Sequence, residues 1–349
     1  MSVRAGARMV AAGLAQWASG RRTDLSGRVF FLESAEHLAA VLRFATADDL
    51  VIAPEDGLES DSGSAAVARY SGRFVEPGDE MLVEGRYAVE LQDYLAAAFL
   101  PVVGFTVVRL DGEAGWRTYL EDAELARDTG AFVEQLVHPA VLLADKGALG
   151  RDATDGRSLP RIHVTESGEV RTAPGGTRLG TVDDSFDELI LAASRLSADG
   201  EDDLRAVVAP EDLRATLAER PWLPRYVHAL EALRVVRQEG ADWRVSGFGG
   251  RLVDGLPAEY REPDEAPLLL WNDTDHLLHH PRSGRRFRLG ADAARLAELL
   301  LVTGSAEAAA ALGAELLGLA EPVARQAAAE VEARLERAGL WVPAVGAAR

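Results

Sequence analysis

Leu268-Leu269-Leu270-Trp271, His276-Leu277-Leu278-His279-His280 and Arg286-Phe287-Arg288-Leu289, followed by three helical stretches ending at Gly339-Leu340-Trp341-Val342, decide how this chain folds. Each of the first three runs is short, apolar or alternating, and bounded by turn residues: Asn272-Asp273 after the first and Pro281-Arg282-Ser283-Gly284 before the third. Gly290 then breaks the pattern. Ala293, Leu296, Leu299 and Leu300 recur at helical spacing up to Gly304, and Ser305 is placed to cap a second helix carrying Leu312 and Leu316. Pro322 suits the first turn of a third helix, in which Val323, Ala327, Val331 and Leu335 recur until Gly339. The order is βββααα, and three helices that bury one face against a hairpin make a winged-helix domain, expected over residues 266–343.

Working upstream, Glu262-Pro263-Asp264-Glu265-Ala266-Pro267 is charged, proline-containing and poor in apolar residues, so it reads as a linker. Residues 28–53 read as a βαβ unit: Val29-Phe30-Phe31-Leu32 is strand-like, Leu38, Val41 and Leu42 share one helix face, and Leu50-Val51-Ile52 returns as a strand. Pro54 to Gly63 reads as an exposed loop. A helix from Leu91 to Phe99, a strand from Val102 to Leu110 and a helix from Leu120 to Val137, striped by Leu125, Phe132, Val133 and Leu136, follow. Beyond them come an apolar run from Pro139 to Asp145, a hairpin around Ser167-Gly168 and a turn at Pro174-Gly175-Gly176. Residues 185–239 are largely helical with breaks at Pro210 and Pro221, and Trp243 to Leu252 reads as strand and loop. The expected organisation is an N-terminal arm or helix (1–23), an α/β region (24–137), a mixed, mainly helical region (138–262) and the winged helix. The fold class is α+β.

A chain of 349 residues with 48% apolar and 27% charged residues can bury more than one core. Its formal charge of −19 is spread along the sequence, which disfavours nucleic acid and anionic membranes as partners. The absence of cysteine removes disulfides, thiol nucleophiles and Cys-based zinc sites, and fits a reducing cytoplasm. The first 20 residues lack a secretory pattern, and no apolar run approaches the ~20 residues of a membrane span. Lys146 is the only lysine among abundant arginines, a bias expected of a GC-rich coding sequence.

Familiar catalytic motifs are missing: there is no Gly-x-x-x-x-Gly-Lys-Ser/Thr, Gly-x-Gly-x-x-Gly, His-Glu-x-x-His or Gly-x-Ser-x-Gly. Gly247-Phe248-Gly249-Gly250 has no lysine and no clear following helix, so a turn or bulge is the expectation. His276, His279 and His280 lie on a strand pattern, where alternation turns His279 away from the other two, so solvated strand histidines are expected rather than metal ligands. Asp183, Asp184, Asp187 and Glu188, like Glu201, Asp202 and Asp203, sit beside helix starts and suit capping. Trp222 and Tyr226 share a helix face and suit packing, and His138, His163 and His228 are isolated in sequence. No catalytic residue, metal ligand or cofactor is assigned.

The run Arg286-Phe-Arg-Leu-Gly-Ala-Asp-Ala-Ala-Arg-Leu-Ala-Glu-Leu-Leu-Leu-Val-Thr-Gly304, the Ser-started helix after it, and Val331 through Leu340-Trp341-Val342 resemble the PqqD-like domain known as the RiPP recognition element. The resemblance covers about 75 residues and departs from the family pattern at Gly290, where Asn is usual. It implies capture of the leader segment of a ribosomally made precursor peptide. A leader would add as an extended strand to the third strand, with backbone hydrogen bonds giving affinity and side-chain pockets giving selectivity. Carried over by position, the groove lies between Arg285, Arg286, Phe287, Arg288 and Leu289 and the last helix near Arg325, Ala328, Val331, Glu332 and Leu335, with small Ala324 and Ala328 allowing close approach. The basic cluster of Arg282, Arg285, Arg286 and Arg288 either steers an acidic leader or guards an edge strand against aggregation. The remaining 260 residues, with His138-Pro-Ala-Val-Leu-Leu-Ala-Asp145 and Val170-Arg-Thr-Ala-Pro-Gly-Gly176, resemble the recognition proteins of daptide biosynthesis. That implies a cytoplasmic, non-catalytic factor presenting a precursor to an oxidative decarboxylase, an aminotransferase or a methyltransferase. Two other readings stand beside it: a winged-helix DNA-binding regulator, against which the glutamates of the last helix weigh, and a peptide-modifying enzyme with its site in residues 24–260.

Overall fold

The computed structural model describes residues 6–56, 64–150, 159–196, 201–237, 242–257, 262–263, 265–281 and 283–341. The chain is mixed α+β, with one large mixed sheet and a separate antiparallel sheet. By its internal contacts it divides into a unit of residues 1–120 and 134–223 and a unit of residues 121–133 and 224–349.

The first unit opens with helix α1 (Ala7–Ser19), which turns Val10, Leu14 and Trp17 into the interior. It is a core helix and not a loose arm. Strand β1 (Val29–Leu32), the short helix α2 (Leu38–Leu42) and strand β2 (Leu50–Pro54) form the expected βαβ unit, with β1 and β2 parallel. There follow β3 (Ala66–Gly72), β4 (Glu80–Val83), β5 (Tyr87–Asp93), the four-residue helix α3 (Tyr94–Ala97), β6 (Phe105–Arg109) and α4 (Gly112–Thr129), which belongs to the second unit from residue 121 onward. Then come β7 (Val141–Leu143), α5 (Lys146–Leu149), β8 (Arg161–Val164), β9 (Glu169–Arg171), β10 (Arg178–Thr181), α6 (Phe186–Ala193) and α7 (Pro210–Glu219).

All ten strands join one sheet in the order β10-β9-β8-β1-β2-β3-β4-β5-β6-β7. Pairing is parallel from β8 through β3 and again from β5 through β7, with antiparallel turns at β4 and β9. Central strands covered on both faces read as unbroken apolar runs, which is why Val29 to Leu32 shows no alternation. Phe31, Ile52, Ala68, Met81, Leu91 and Val107 face α1, whereas Phe30, Val51, Val67 and Ile162 face Leu38, Val41 and Leu189 of α2 and α6. Helix α1 touches β1, β2 and β8 and also β7 at the far end of the sheet, so the sheet curls around it. Gly13 makes this approach possible: a Cβ there would lie 2.2 Å from Leu50 Cδ2.

Several expectations are corrected. Residues 91–93 belong to β5, and the helix expected from Leu91 to Phe99 begins only at Tyr94, where the Asp93 side chain accepts hydrogen bonds from the N–H groups of Leu95 and Ala96. The helix expected at 120–137 is α4, which starts at Gly112 and ends before Gly130. Its buried stripe is Trp116, Tyr119, Ala123 and Ala126, while Leu125 is half exposed. A divide at 137/138 is not observed, because β6 pairs with β7 and β1 with β8 across it. The backbone ladder, invisible to local composition, binds the two expected regions into one sheet. Of the loop expected from Pro54, residues 57–63 lie outside the described residues, as do Arg282 and Val342.

The second unit contains α8 (Leu223–Val236) from Pro224 onward, β11 (Arg244–Val245), β12 (Leu268–Trp271), β13 (His276–His279) and β14 (Arg286–Leu289). Helices α9 (Ala291–Thr303), α10 (Ala306–Leu316) and α11 (Glu321–Arg337) complete it. The strands form an antiparallel sheet in the order β11-β12-β13-β14. Leu269, Leu278 and Phe287 lie in one row across β12, β13 and β14 and pack with Leu296, Leu300, Val331 and Leu335 of the helices. Ser305 Oγ caps α10 by accepting the Ala308 N–H at 3.3 Å. Gly290 serves as an extended N-cap of α9 without a side-chain bond.

The boundary expected at 262–266 is corrected as well. Val253 and Leu256 belong to the helical core, and β11 extends the sheet beyond the three expected strands. Glu298 of α9, fully buried, holds this upstream segment: its carboxylate accepts from Ser246 Oγ at 2.5 Å, Leu252 N at 3.0 Å and Val253 N at 2.6 Å. Glu262 is buried and paired with Arg251, while Arg225 donates to the carbonyls of Pro263 and Ala266. These residues form a clasp, not a free linker. Asp264 lies outside the described residues.

Candidate functional site

β14 ends its sheet, and among the described residues no strand pairs with its outer side. The His280 N–H donates to Arg285 O at 2.9 Å. Because an antiparallel ladder alternates, residues 285, 287 and 289 turn their backbone groups toward β13. The N–H and C=O of Arg286 and Arg288 therefore point away from β13, toward the side on which no described strand pairs.

Side chains divide along the same strand. Phe287 and Leu289 are half-buried against the helical core, whereas Arg285, Arg286 and Arg288 are exposed. The Arg285 guanidinium donates to Ala338 O beyond α11 at 3.0 Å and lies 5.0 Å from the centre of the Phe287 ring. It thereby ties the start of β14 to the end of the last helix. Arg288 pairs with Asp275 at 2.6 Å, an exposed contact worth less than ~1 kcal/mol.

The last helix contributes differently from expectation. Ala324 and Ala328 are fully buried, and Val331 and Leu335 nearly so. The small residues let α10 and α11 pack closely, with Ala324 Cβ lying 3.9 Å from the position of a Cβ on Gly313. They serve the protein's own core, and they are not a surface left open for a guest. Glu332 is half-buried, and Arg325 is exposed and paired with Glu321 one turn away. The structure thus places Arg285 to Leu289 together on the terminal strand of the sheet, whereas Ala328, Val331 and Leu335 lie beneath the surface.

The histidines next to this edge are not uniformly solvated. His279 is buried, and burial pushes its pKa down to about 4, against the pull of Glu231 and with the help of Arg286, His228 and His280. Gly247 to Gly250 forms the expected turn, with Phe248 N–H bonded to Val245 O. Tyr226 packs as expected, its ring 5.8 Å from that of Phe132.

A second polar centre, which local sequence reading missed, lies inside the first unit. Arg161 is almost completely buried and donates to Asp145 at 2.6 Å, to Asp203 at 2.7 Å and to the carbonyls of Trp17 and Ala18. Desolvation disfavours its charge, but Asp203 and Asp145 outweigh that and raise its pKa. Burial raises the Asp145 carboxyl, with Arg161 opposing. Two residues along β8, His163 is buried with Nε2 2.9 Å from Glu33 Oε1, and desolvation lowers its pKa despite the carboxylate. A neutral imidazole donating Nε2–H to an ionised Glu33 follows. Asp203 is therefore an ion-pair partner and not the expected helix cap, while Ser185 and Glu188 do form a capping box. The signal available in the sequence was Arg161-Ile162-His163: two polar residues at strand spacing inside an otherwise apolar parallel strand.

Compared with protein-family models, with curated proteins and with solved structures, the chain matches none. Among the described residues no group of three or more His, Asp or Glu side chains could hold a metal ion, and no helix is long and apolar enough to cross a membrane.

Proposed function

We propose that this chain is a non-catalytic recognition protein of ribosomal peptide biosynthesis, whose second unit is a winged helix of the RiPP recognition element type. The edge position of β14 carries the reading: among the described residues no strand pairs with its outer side, toward which residues 286 and 288 turn their backbone groups, the geometry β-augmentation requires. A leader segment adds there as a fifth strand. Its side chains fall alternately beside Phe287 and Leu289 and beside the exposed arginines, so apolar residues alternate with acidic ones. The protein then presents the precursor to its modifying enzymes, an oxidative decarboxylase, aminotransferase or methyltransferase in a daptide-type pathway.

The DNA-binding alternative is disfavoured by α11, where Arg325 and Arg334 are already paired with Glu321 and Glu330 on an acidic helix. Fluorescence anisotropy with a labelled leader peptide from a precursor gene neighbouring this one tests the proposal. Saturable binding is expected, and Arg288→Pro, which removes an outward N–H without touching the ladder, should weaken it about tenfold or more. Equal binding by wild type and Arg288→Pro, or preferential binding of duplex DNA, rejects it.

A further inference from the structure

Between α3 and β6 the first unit turns apolar side chains outward that its own core does not use. Phe99 and Val103 are 87% and 86% exposed, and Leu95 and Leu100 are exposed beside them in sequence. Leu82 of β4 belongs to the same side of the sheet. Met81, Val83, Val89 and Val107 face α1, so alternation turns Leu82 and its ladder partner Ala88 to the opposite face, where both are exposed. The parallel pairing of Val89 with Phe105 sets Gly104 level with Ala88, which brings the end of the 98–104 connection alongside them. This connection is anchored: Gln135 Nε2 donates to Ala98 O at 3.0 Å, and the Asp93 carboxylate caps α3.

Single surface leucines are ordinary, but this grouping is large and carries no charge. From Tyr94 to Val108 the chain runs without one charged residue, where its average of 27% would place about four. The exposed side chains leave on the order of 500 Å² of apolar surface in water, near the top of the ~300–600 Å² found for a monomer's largest patch. A stable contact between two proteins covers about 800 Å² on each, of which about 55–65% is apolar, so the patch matches one partner's apolar share. Charge then selects the occupant. A foreign partner of an acidic protein is ordinarily chosen by opposite charge, which this segment does not offer. Two copies of the chain, each with a formal charge of −19, repel one another except where an uncharged face meets an uncharged face. The patch is such a face, and a twofold axis makes it its own complement.

We propose that the chain forms a twofold-symmetric homodimer through this patch, with Phe99 and Val103 at the centre of the contact and Leu82, Leu95 and Leu100 around them. The surface belongs wholly to the first unit and is independent of the β14 edge. Sedimentation equilibrium of the full-length protein from about 0.5 to 100 μM tests it, a range that brackets the dissociation constants of standard-sized contacts of modest affinity. The wild type should sediment at twice the monomer mass in the upper part of that range. Phe99→Asp and Val103→Asp remove no core contact, since both side chains lie in water, and together they should raise the dimer dissociation constant a hundredfold or more. Leu191→Asp, at an exposed position on α6, should leave the dimer intact and controls for the added charge. Leader-peptide binding should be unchanged in all three variants. A wild type that stays monomeric to 100 μM, including one that floats with phosphatidylcholine vesicles instead, overturns the proposal. So does a Phe99→Asp/Val103→Asp double variant that dimerises as the wild type does.

Discussion

In the first unit the polar residues of strand β8 are turned inward and matched: Arg161 meets two aspartates and His163 meets Glu33. In the second unit the arginines of β14 are exposed on a strand whose outer side no described strand covers. The two arrangements have opposite energetics. A buried ion network repays its desolvation only while every member stays paired, so it makes the interior unforgiving. An exposed edge costs little to keep and little to alter, and its open hydrogen-bonding groups gain their value when another chain arrives.

That contrast can be broken or sharpened by substitution. The largest expected effect is Arg161→Met, which leaves the buried Asp145 and the part-buried Asp203 without their cation and should destabilise the first unit by about 3–5 kcal/mol in urea unfolding. A loss below ~1 kcal/mol would mean that the cluster is hydrated and not matched. Next comes pH. Unfolded His279 titrates near 6.5 and the folded residue near 4, so the unfolded chain binds the extra proton between these values. Stability of the second unit should therefore fall by roughly 2–3 kcal/mol as pH drops from 6.5 to 4, and His279→Gln should remove that part of the slope. Ser305→Ala should cost about 1 kcal/mol through loss of the α10 cap, measured as a lower urea midpoint. Arg288→Ala should change stability by less than ~1 kcal/mol, since its pair with Asp275 is exposed; a larger loss would make β14 a structural strand and weaken its reading as a docking edge.

The second unit was the more legible of the two, and the reason is local. Its strands and helices carry their own signals: turn residues after Trp271, Ser305 at a cap, Pro322 in a first turn, and apolar residues at helical spacing. What escaped there was long-range: Glu298, which looks like a helix-surface glutamate in sequence, reaches back to Leu252 and Val253 and draws 242–257 into the core. Ala328 and Val331 show the complementary error. Their spacing marked the correct face of α11, but that face meets α9 and α10 and not a guest, so a substitution such as Val331→Asp would report on folding before it reported on binding. In the first unit the βαβ unit was readable from apolar runs, but no local signal says that β8, some 130 residues later in sequence, inserts next to β1. The pairing of Arg161 with Asp145 and Asp203 depends on that insertion, so the buried polar centre was beyond the reach of spacing arguments.

The central claim is that β14 accepts an extended guest through the outward backbone groups of Arg286 and Arg288. Residue-resolved amide hydrogen exchange, with and without a saturating leader peptide, tests it most directly. The amides of Arg286 and Arg288 should exchange rapidly in the free protein and become protected in the complex, while those of Phe287 and Leu289, already bonded to β13, stay protected in both. A leader that binds without slowing exchange at Arg286 and Arg288 would contradict the account.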